Sequence, residues 1–293
     1  MLPASIQDCL DRLPELPIDQ QREILALVDK LDVIRERDAA KDSFISFVKK
    51  VWPGFIEGYH HKIMAGAFER VAKGELKRLI INMAPRHTKS EFASHLFPAW
   101  FLGHHPSKYV IQASNTADLA VDFGRKVRDT IGDDNFHDIF PDVAVHADAA
   151  AAGKWKTTAK GEYFALGTGG TMTGRGGDLI IIDDPHSEQE AKQAETRPEI
   201  YDSVFEWYTS GPRQRVQPGA AIVIVMTRWS KRDLTGQVLK AAATKETGEE
   251  WEVIELPAIL PSGKPIWPEY WPEEEILAIK QELPSLYYLG CFL

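Results

Sequence analysis

The chain has 293 residues, of which 44% are hydrophobic and 26% charged, which fits one large α/β domain with appendages or two small domains. No apolar run approaches the ~18 residues of a membrane span, the start carries no signal-peptide pattern, and Cys9 and Cys291 form no metal-ligand spacing, so we expect a soluble protein of a reducing compartment. The formal charge of −9 argues against a nucleic-acid partner, but ten acidic residues and two lysines follow residue 245, which leaves the rest of the chain nearly neutral.

The first 40 residues are predicted to be helical from residue 5 onward. Ser5 can cap a short first helix, and Pro17 opens a second one. The apolar residues of the second helix recur at helical spacing, and they are Ile24, Leu27, Val28, Leu31 and Ile34. We interpret residues 1–45 as a helical appendage, for which packing is favoured over partner binding. A third helix is predicted over residues 59–73, with Gly74 at its end.

Strands and helices alternate from residue 78 onward. The predicted strands are 78–84, 109–113, 163–167, 179–182 and 221–226, and helices are predicted over 90–102 and 116–131. The last two strands are apolar enough to be buried on both faces. The alternation predicts an α/β fold with a mostly parallel sheet flanked by helices. A sheet of this kind binds ligands at the carboxyl ends of its strands.

The first predicted strand runs into the loop Ala84-Pro85-Arg86-His87-Thr88-Lys89-Ser90. A nucleoside triphosphate needs backbone N–H groups at a helix N-terminus, a lysine and a divalent cation. Lys89 would reach the β- and γ-phosphates, and Ser90 would ligate Mg²⁺. Only these two residues fit G-x-x-x-x-G-K-[ST], because Met83 and Thr88 stand at the two glycines. A chance Lys-Ser pair after a strand is the alternative.

The strand predicted over 179–182 ends in Asp183, Asp184 and Pro185. Asp183 would hold the Mg²⁺, and Asp184 is placed to orient or deprotonate the attacking water. A simple turn after a strand is the alternative, but the order and spacing of the two motifs together favour a P-loop NTPase. Thr227 follows the last predicted strand, where a polar side chain can lie beside the γ-phosphate.

Two further features leave alternatives open. The glycine-rich segment 167–177 is either a surface loop or a mobile segment that presents Arg175 to phosphate, and the sequence favours neither. Three short basic groups, at 125–128, 213–215 and 228–232, are each more often solvated faces than contacts to nucleic-acid phosphates.

These motifs in this order resemble the large terminase subunit of tailed bacteriophages, from about Phe44 to Pro272. The segments that carry the resemblance are 84–91, 97–103, 122–128, 173–176, 181–185, 207–210 and 227–229. The resemblance implies a P-loop ATPase domain over 46–270. It also implies that 271–293 begins a linker towards a separate nuclease domain.

The resemblance also implies roles for individual residues. Lys89 and Ser90 take the Walker A roles, Asp183 is the magnesium ligand and Asp184 the catalytic carboxylate, and Thr227 falls on the coupling motif. The residues implied at the nucleotide are Pro85, Arg86, His87, Thr88, Lys89, Ser90 and Glu91, with His60 and His61 near the adenine. Arg86 within its own subunit, or Arg175 across an interface, would stabilise the charge on the transferring phosphoryl group.

The implied activity is that of a magnesium-dependent ATP hydrolase that moves double-stranded DNA into a procapsid. The implied partners are double-stranded DNA, a portal protein, a small terminase subunit and further copies of the chain in a ring. The implied place is the cytoplasm of an infected bacterium, without a membrane. No nuclease activity is expected, because the residues after Trp251 offer no spaced carboxylates for two metals. The alternatives are a nucleotide-binding assembly module without turnover, suggested by Thr88, and a related P-loop DNA helicase or remodeller.

Overall fold

The computed structural model describes residues 13–244 and 249–282. Its strands are β1 (Arg78–Met83), β2 (Tyr109–Ser114), β3 (Val145–Ala151), β4 (Lys154–Thr157), β5 (Glu162–Gly167), β6 (Gly177–Asp183), β7 (Val216–Met226) and β8 (Glu252–Leu256). They form one eight-stranded sheet in the order β3-β4-β5-β2-β6-β7-β1-β8. Every neighbouring pair from β5 to β8 is parallel, whereas β3 and β4 form an antiparallel hairpin at one edge.

The α-helices within the described residues flank this sheet. They are α1 (Ile18–Asp42), α2 (Phe44–Val51), α3 (Tyr59–Ala72), α4 (Phe97–His104), α5 (Ala117–Ile131), α6 (Asp134–Ile139), α7 (Glu188–Ala194), α8 (Glu199–Ser210), α9 (Leu234–Ala243) and α10 (Glu273–Glu282). Short 3₁₀ helices cover Leu13–Glu15 and Pro212–Arg215, and a π-helix covers Glu91–Leu96. Each strand predicted from the sequence is present, and the predicted α/β fold with a mostly parallel sheet is confirmed.

The central strands are apolar on both faces because helices cover both sides of the sheet. All six residues of β1 are buried, and so are the last seven of β7. Leu79 and Ile81 face a core that contains Phe44, Phe68 and Phe97 from the helices before and after β1. The intervening residue of β1 faces a second core, built mainly from β6, β7 and α8. The two cores fix the sheet, and with it the edge at which β1, β6 and β7 end.

α1 extends from this body with little burial of its own. Ala40 is its one buried residue within the described chain, whereas Phe44 on the next helix lies in the core. The boundary proposed at residue 45 stays a prediction, and Phe44, on the appendage side of it, belongs to the packed core. The start of the helix predicted from Ser5 lies outside the described residues, as does the part of the proposed 271–293 linker from residue 283 onward. The described part of that linker contains α10. No helix in the described ranges is long and apolar enough to cross a membrane.

The helix predicted over residues 90–102 differs in one respect. Its first part, Glu91–Leu96, is π-helical, and an α-helix follows from Phe97. Pro98 lacks the N–H that would bond the carbonyl of Ser94, and its ring would clash with that carbonyl in an unbroken α-helix. The wider turn before a proline relieves this conflict.

Candidate functional site

Three loops meet at the carboxyl edge of the sheet. β6, β7 and β1 lie side by side and run in the same direction, so the residues that follow them emerge together. These segments are 183–185, 227–229 and 84–90. The structure thus brings together the three motifs that the sequence separated by up to about 140 residues.

The loop after β1 is tight and partly left-handed. φ is +59° at Arg86 and +64° at Thr88, and His87 Nδ1 donates to the Pro85 carbonyl oxygen at 2.8 Å. The chain becomes helical at Lys89, and the free N–H groups of a helix start suit an anion. A β-branched residue at positive φ costs about 1–3 kcal/mol. The surroundings of Thr88 must therefore hold it in place.

Lys89 and Asp184 form a close ion pair across the site. Lys89 Nζ lies 2.6 Å from Asp184 Oδ2, and the lysine side chain is almost fully buried. The other oxygen, Asp184 Oδ1, accepts from the backbone N–H of Thr227 at 2.8 Å. Asp184 itself has φ +40°, and its N–H donates to the Val225 carbonyl at 2.9 Å. One carboxylate thus joins the loop after β1 to the end of β7.

Asp183 is buried beneath this pair and is held by two hydroxyl groups. Ser90 Oγ donates to Asp183 Oδ1 at 2.9 Å, and Ser94 Oγ donates to Asp183 Oδ2 at 2.9 Å. Burial and the neighbouring Asp184 carboxylate raise the pKa of Asp183 to about 7, although Lys89 and the two hydroxyl groups oppose that shift. A carboxylate with a raised pKa in a polar site is typical of a group prepared for a cation or for catalysis.

Ser90 and Asp183 fit a magnesium ion. Mg²⁺ takes oxygen ligands at about 2.0–2.1 Å in octahedral geometry and retains waters and substrate phosphates, which puts adjacent ligand oxygens about 3 Å apart. The 2.9 Å between Ser90 Oγ and Asp183 Oδ1 matches that spacing. No cluster of three or more His, Cys, Asp or Glu side chains suited to a metal occurs in the described ranges. Mg²⁺ sites at nucleotides commonly take their remaining ligands from phosphate and water.

Ser94 and Gln112 belong to this site and were not identified from the sequence. Ser94 Oγ, besides donating to Asp183, accepts from Gln112 Nε2 at 2.9 Å, and both side chains are fully buried. The signal available in the sequence for Ser94 was its spacing of four residues from Ser90, ahead of Pro98. A hydrogen-bonded second layer of this kind orients a metal-binding carboxylate.

Asp233, which was not predicted as a site residue from the sequence, fixes the turn after β7. Asp233 is fully buried, and its Oδ2 accepts from Arg228 Nε at 2.9 Å and from the N–H groups of Trp229 and Ser230. Its Oδ1 caps α9. At the start of the turn, Thr227 Oγ1 donates to a backbone carbonyl of β1 at 3.3 Å. The proposed coupling motif is therefore tied to both neighbouring elements.

His60 and His61 lie beneath the loop after β1 rather than on the surface. Both rings are fully buried, whereas the adjacent Tyr59 is 64% exposed. Burial lowers the pKa of His60 to about 3 and that of His61 to about 2, so both are neutral. His61 Nε2 lies 2.6 Å from Thr88 Oγ1. Of Tyr59, His60 and His61, Tyr59 is the one exposed enough to contact an adenine base. The role of His60 and His61 at the adenine stays a prediction.

The other residues proposed at the nucleotide are placed as follows. Arg86 is exposed at the rim of the loop. Glu91 bonds His95 and Lys126, and although burial acts to raise its pKa, these contacts lower it to about 2. Glu91 is therefore directed towards α5 as an ionised carboxylate.

Arg175 lies at the amino ends of the parallel strands, whereas Asp184 lies at their carboxyl ends. It precedes β6, whose seven residues span about 20 Å. Its Nε lies 3.3 Å from Glu162 Oε1, and its guanidinium carbon lies 4.1 Å from the centroid of the Phe164 ring. The segment before it is anchored as well, because Trp207 Nε1 donates to the Gly170 carbonyl at 3.0 Å. Arg175 is thus remote from the site of its own chain.

The basic groups noted in the sequence carry many acidic partners. The pairs are Arg125 with Asp122, Lys126 with Glu91, Arg128 with Asp129, Arg213 with Glu249, Arg228 with Asp233, and Arg232 with Asp202. These pairs reduce the local positive charge, and they favour the interpretation of solvated faces over that of dedicated phosphate contacts.

No protein-family model matches the sequence, and no curated protein matches it. Among solved structures, the HK97 bacteriophage large terminase is similar with a TM-score of 0.50 and 12% identity over 82% of this chain. This chain spans 50% of that protein. The expected resemblance to large terminases is confirmed at the level of the fold, which is of the P-loop type.

Two further structures are similar. The large terminase ATPase domain of Thermus phage P74-26 has a TM-score of 0.48 and 14% identity over 84% of this chain and 95% of that domain. The large terminase of a thermophilic bacteriophage, in complex with ATP-γ-S, has a TM-score of 0.45 and 11% identity over 76% of this chain and 51% of its own.

Proposed function

We propose that this chain is the ATP-hydrolysing part of a viral DNA-packaging motor. The observation that carries the proposal is the convergence of Lys89, Ser90, Asp183 and Asp184 at one edge of the sheet, with Lys89 2.6 Å from Asp184 and Ser90 2.9 Å from Asp183. A lysine, a hydroxyl and two carboxylates beside a helix start form the chemical set for a magnesium-bound triphosphate. The fold shared with a large terminase supports the viral role.

Each residue has a distinct task in this proposal. Lys89 and the N–H groups of the loop bind the β- and γ-phosphates, and Lys89 exchanges its contact with Asp184 for one with phosphate. Ser90 and Asp183 hold Mg²⁺, which when bound neutralises charge on the phosphates. Asp184 then has an oxygen free to orient the attacking water and accept its proton. Arg86, exposed at the rim, is the candidate in this subunit for stabilising charge on the γ-phosphate.

Coupling to movement would run through Asp184 and Thr227. Asp184 Oδ1 accepts from the Thr227 N–H at 2.8 Å, and Thr227 opens the turn that Asp233 fixes. Proton transfer to Asp184 weakens it as a hydrogen-bond acceptor, so hydrolysis would weaken the bond between Asp184 and the Thr227 N–H at the start of that turn. The proposal extends to translocation of double-stranded DNA by a ring of copies on a portal protein, with a small terminase subunit as partner, in the cytoplasm of the infected host.

Thr88 supports a second candidate function, which is nucleotide binding without turnover. Its φ of +64° is strained for a β-branched residue, and this residue lies next to Lys89. A loop that binds phosphate but fixes it in an unreactive position would give an assembly module that uses ATP as a ligand only.

The test is ATP binding and steady-state phosphate release by purified protein, each with and without double-stranded DNA. We expect turnover that Lys89→Ala abolishes, together with most triphosphate affinity, and that Asp183→Ala abolishes through loss of the metal ligand. Lys30→Ala, on the exposed face of α1, is the matched control and should behave as the wild type. Binding without turnover in the wild type would favour the second candidate. Hydrolysis at the wild-type rate in Lys89→Ala would contradict both.

A further inference from the structure

The side chain of Thr88 is engaged on both sides. Its Oγ1 donates to the His87 carbonyl at 2.6 Å, and it lies 2.6 Å from His61 Nε2. Thr88 is the second of two left-handed residues in this loop, with φ +64°, and it directly precedes Lys89. Glycine adopts this conformation without steric cost, whereas a β-branched residue does not. These two hydrogen bonds therefore act at the strained position.

The direction of each hydrogen bond follows from the donors available. The backbone N–H of Gly58 donates to His61 Nδ1 at 2.8 Å, so the proton of the neutral ring is on Nε2. That Nε2–H must donate to Thr88 Oγ1, because the threonine hydroxyl hydrogen is used for the His87 carbonyl. The three hydrogen bonds that link Gly58, His61, Thr88 and the His87 carbonyl therefore have one consistent set of donors and acceptors.

The imidazole of His61 is itself rigid. It stacks on Phe92 at a centroid distance of 4.6 Å and an interplanar angle of 27°, and it packs against Phe55 and Trp267 at 4.8 and 5.0 Å. Phe92 belongs to the helix that begins with Lys89, and His61 belongs to α3. The donor at Nε2 is therefore held at a fixed place relative to the loop, as a group that positions another must be.

We propose that His61 is a positioning residue for the phosphate loop: its Nε2–H holds Thr88 in the left-handed conformation and so replaces, by a hydrogen bond, the glycine that such loops use. The inference rests on the proposed function, because it assigns the loop to nucleotide binding. Without the bond, Thr88 relaxes towards negative φ and rotates the N–H groups of the loop away from the phosphates. Residues 61 and 88 then act as a pair, so replacement of Thr88 by glycine removes the need for His61.

A double-mutant cycle tests this pairing. His61→Asn keeps an acceptor near Gly58 but is too short to reach Thr88, whereas His61→Gln can place an amide N–H near the position of Nε2. The measured quantity is the dissociation constant for a fluorescent ATP analogue with Mg²⁺. We expect His61→Asn to weaken binding about 5- to 10-fold, as loss of one hydrogen bond implies. His61→Gln should restore most of it, and Thr88→Val should match His61→Asn.

The Thr88→Gly background decides between positioning and packing. The affinity of Thr88→Gly is the reference in this background, and adding His61→Asn to it should cause no further loss, because glycine adopts positive φ unaided. Equal weakening by His61→Asn in both backgrounds would overturn the inference, since it would mean that His61 acts only through general packing. Thermal unfolding of all variants verifies that each is folded.

Failure of the proposed function gives a different result. If the wild type binds no ATP analogue and Lys89→Ala behaves in the same way, nucleotide binding by this loop is refuted. Amide hydrogen exchange of residues 86–90 still decides the pairing in that case. Exchange that His61→Asn accelerates in the wild-type background but not with Thr88→Gly supports the pairing, and equal acceleration in both overturns it.

Discussion

Acid should destabilise this protein through His60 and His61, the two buried histidines beneath the loop after β1. His60 and His61 are fully buried, and burial lowers the pKa of the first to about 3 and of the second to about 2, from an ordinary value of 6.5. Below pH 6.5 the unfolded chain binds a proton at each ring and the folded chain does not. The contribution of these two rings to the free energy of unfolding is therefore fully present above pH 6.5, and it is lost as the pH is lowered towards 3.

The size of this effect follows from linkage. Each ring removes about 1.36 kcal/mol of unfolding free energy per pH unit below 6.5. At pH 5.0 the loss is therefore about 2 kcal/mol for each ring and about 4 kcal/mol for both. The substitution His60→Leu removes one of the two rings and keeps an apolar side chain of similar volume, so it should cost less than about 1.5 kcal/mol at pH 7.5.

Urea unfolding followed by tryptophan fluorescence, at pH 7.5 and 5.0 and at constant ionic strength, measures the difference. We expect the loss between the two pH values to be about 2 kcal/mol smaller in His60→Leu than in the wild type. His146→Gln, at an exposed histidine, should show the same loss as the wild type. If His60→Leu has the same pH dependence as the wild type, this prediction is wrong, because the folded protein would then protonate His60 as readily as the unfolded chain does.

Three other predictions concern the site and its supports. Asp233→Asn should lower the unfolding free energy by about 3–5 kcal/mol in urea, because it removes the buried charge that faces Arg228, while Asp202→Asn, which removes an exposed partner of Arg232, should cost less than about 1 kcal/mol. Ser94→Ala should raise the Mg²⁺ concentration for half-maximal turnover about 10-fold or more, by loosening Asp183; an unchanged magnesium dependence, equal to that of the exposed control Ser203→Ala, would exclude such a role. Mixtures of Arg175→Ala and Asp184→Asn subunits, shown to co-assemble, should recover phosphate release if Arg175 acts in a neighbouring subunit, whereas no recovery would count against it.

Much of the sheet could be predicted because its central strands are local apolar runs that end in turn residues. β1, β6 and β7 have this form, and the two motifs that follow β1 and β6 identified the proposed site. The hairpin of β3 and β4 was missed because its stability is not local. Trp155 stacks on Tyr163 of β5 at 5.0 Å, and its Nε1 donates to the Gly124 carbonyl at 3.0 Å.

The supports of the site could not be predicted in the same way. His61 and Thr88 are 27 residues apart, and Asn82 and Thr235, which share a buried hydrogen bond of 3.1 Å, are 153 apart. Such contacts depend on how helices pack, which periodicity does not encode. The position of Arg175 is different. It precedes the strand that ends at Asp183, so the direction of the chain alone places it at the amino ends of the parallel strands, away from the site.

The substitution Asp184→Asn tests most directly whether these residues form an ATP-hydrolysing site. The amide keeps the oxygen that accepts from the Thr227 N–H but cannot take a proton from water, so binding and turnover should separate. Affinity for ATP and the rate of phosphate release are to be measured on the same preparation. We expect affinity within about threefold of the wild type and turnover lower by about 100-fold or more. Turnover at the wild-type rate, or affinity that falls as far as turnover does, would contradict it.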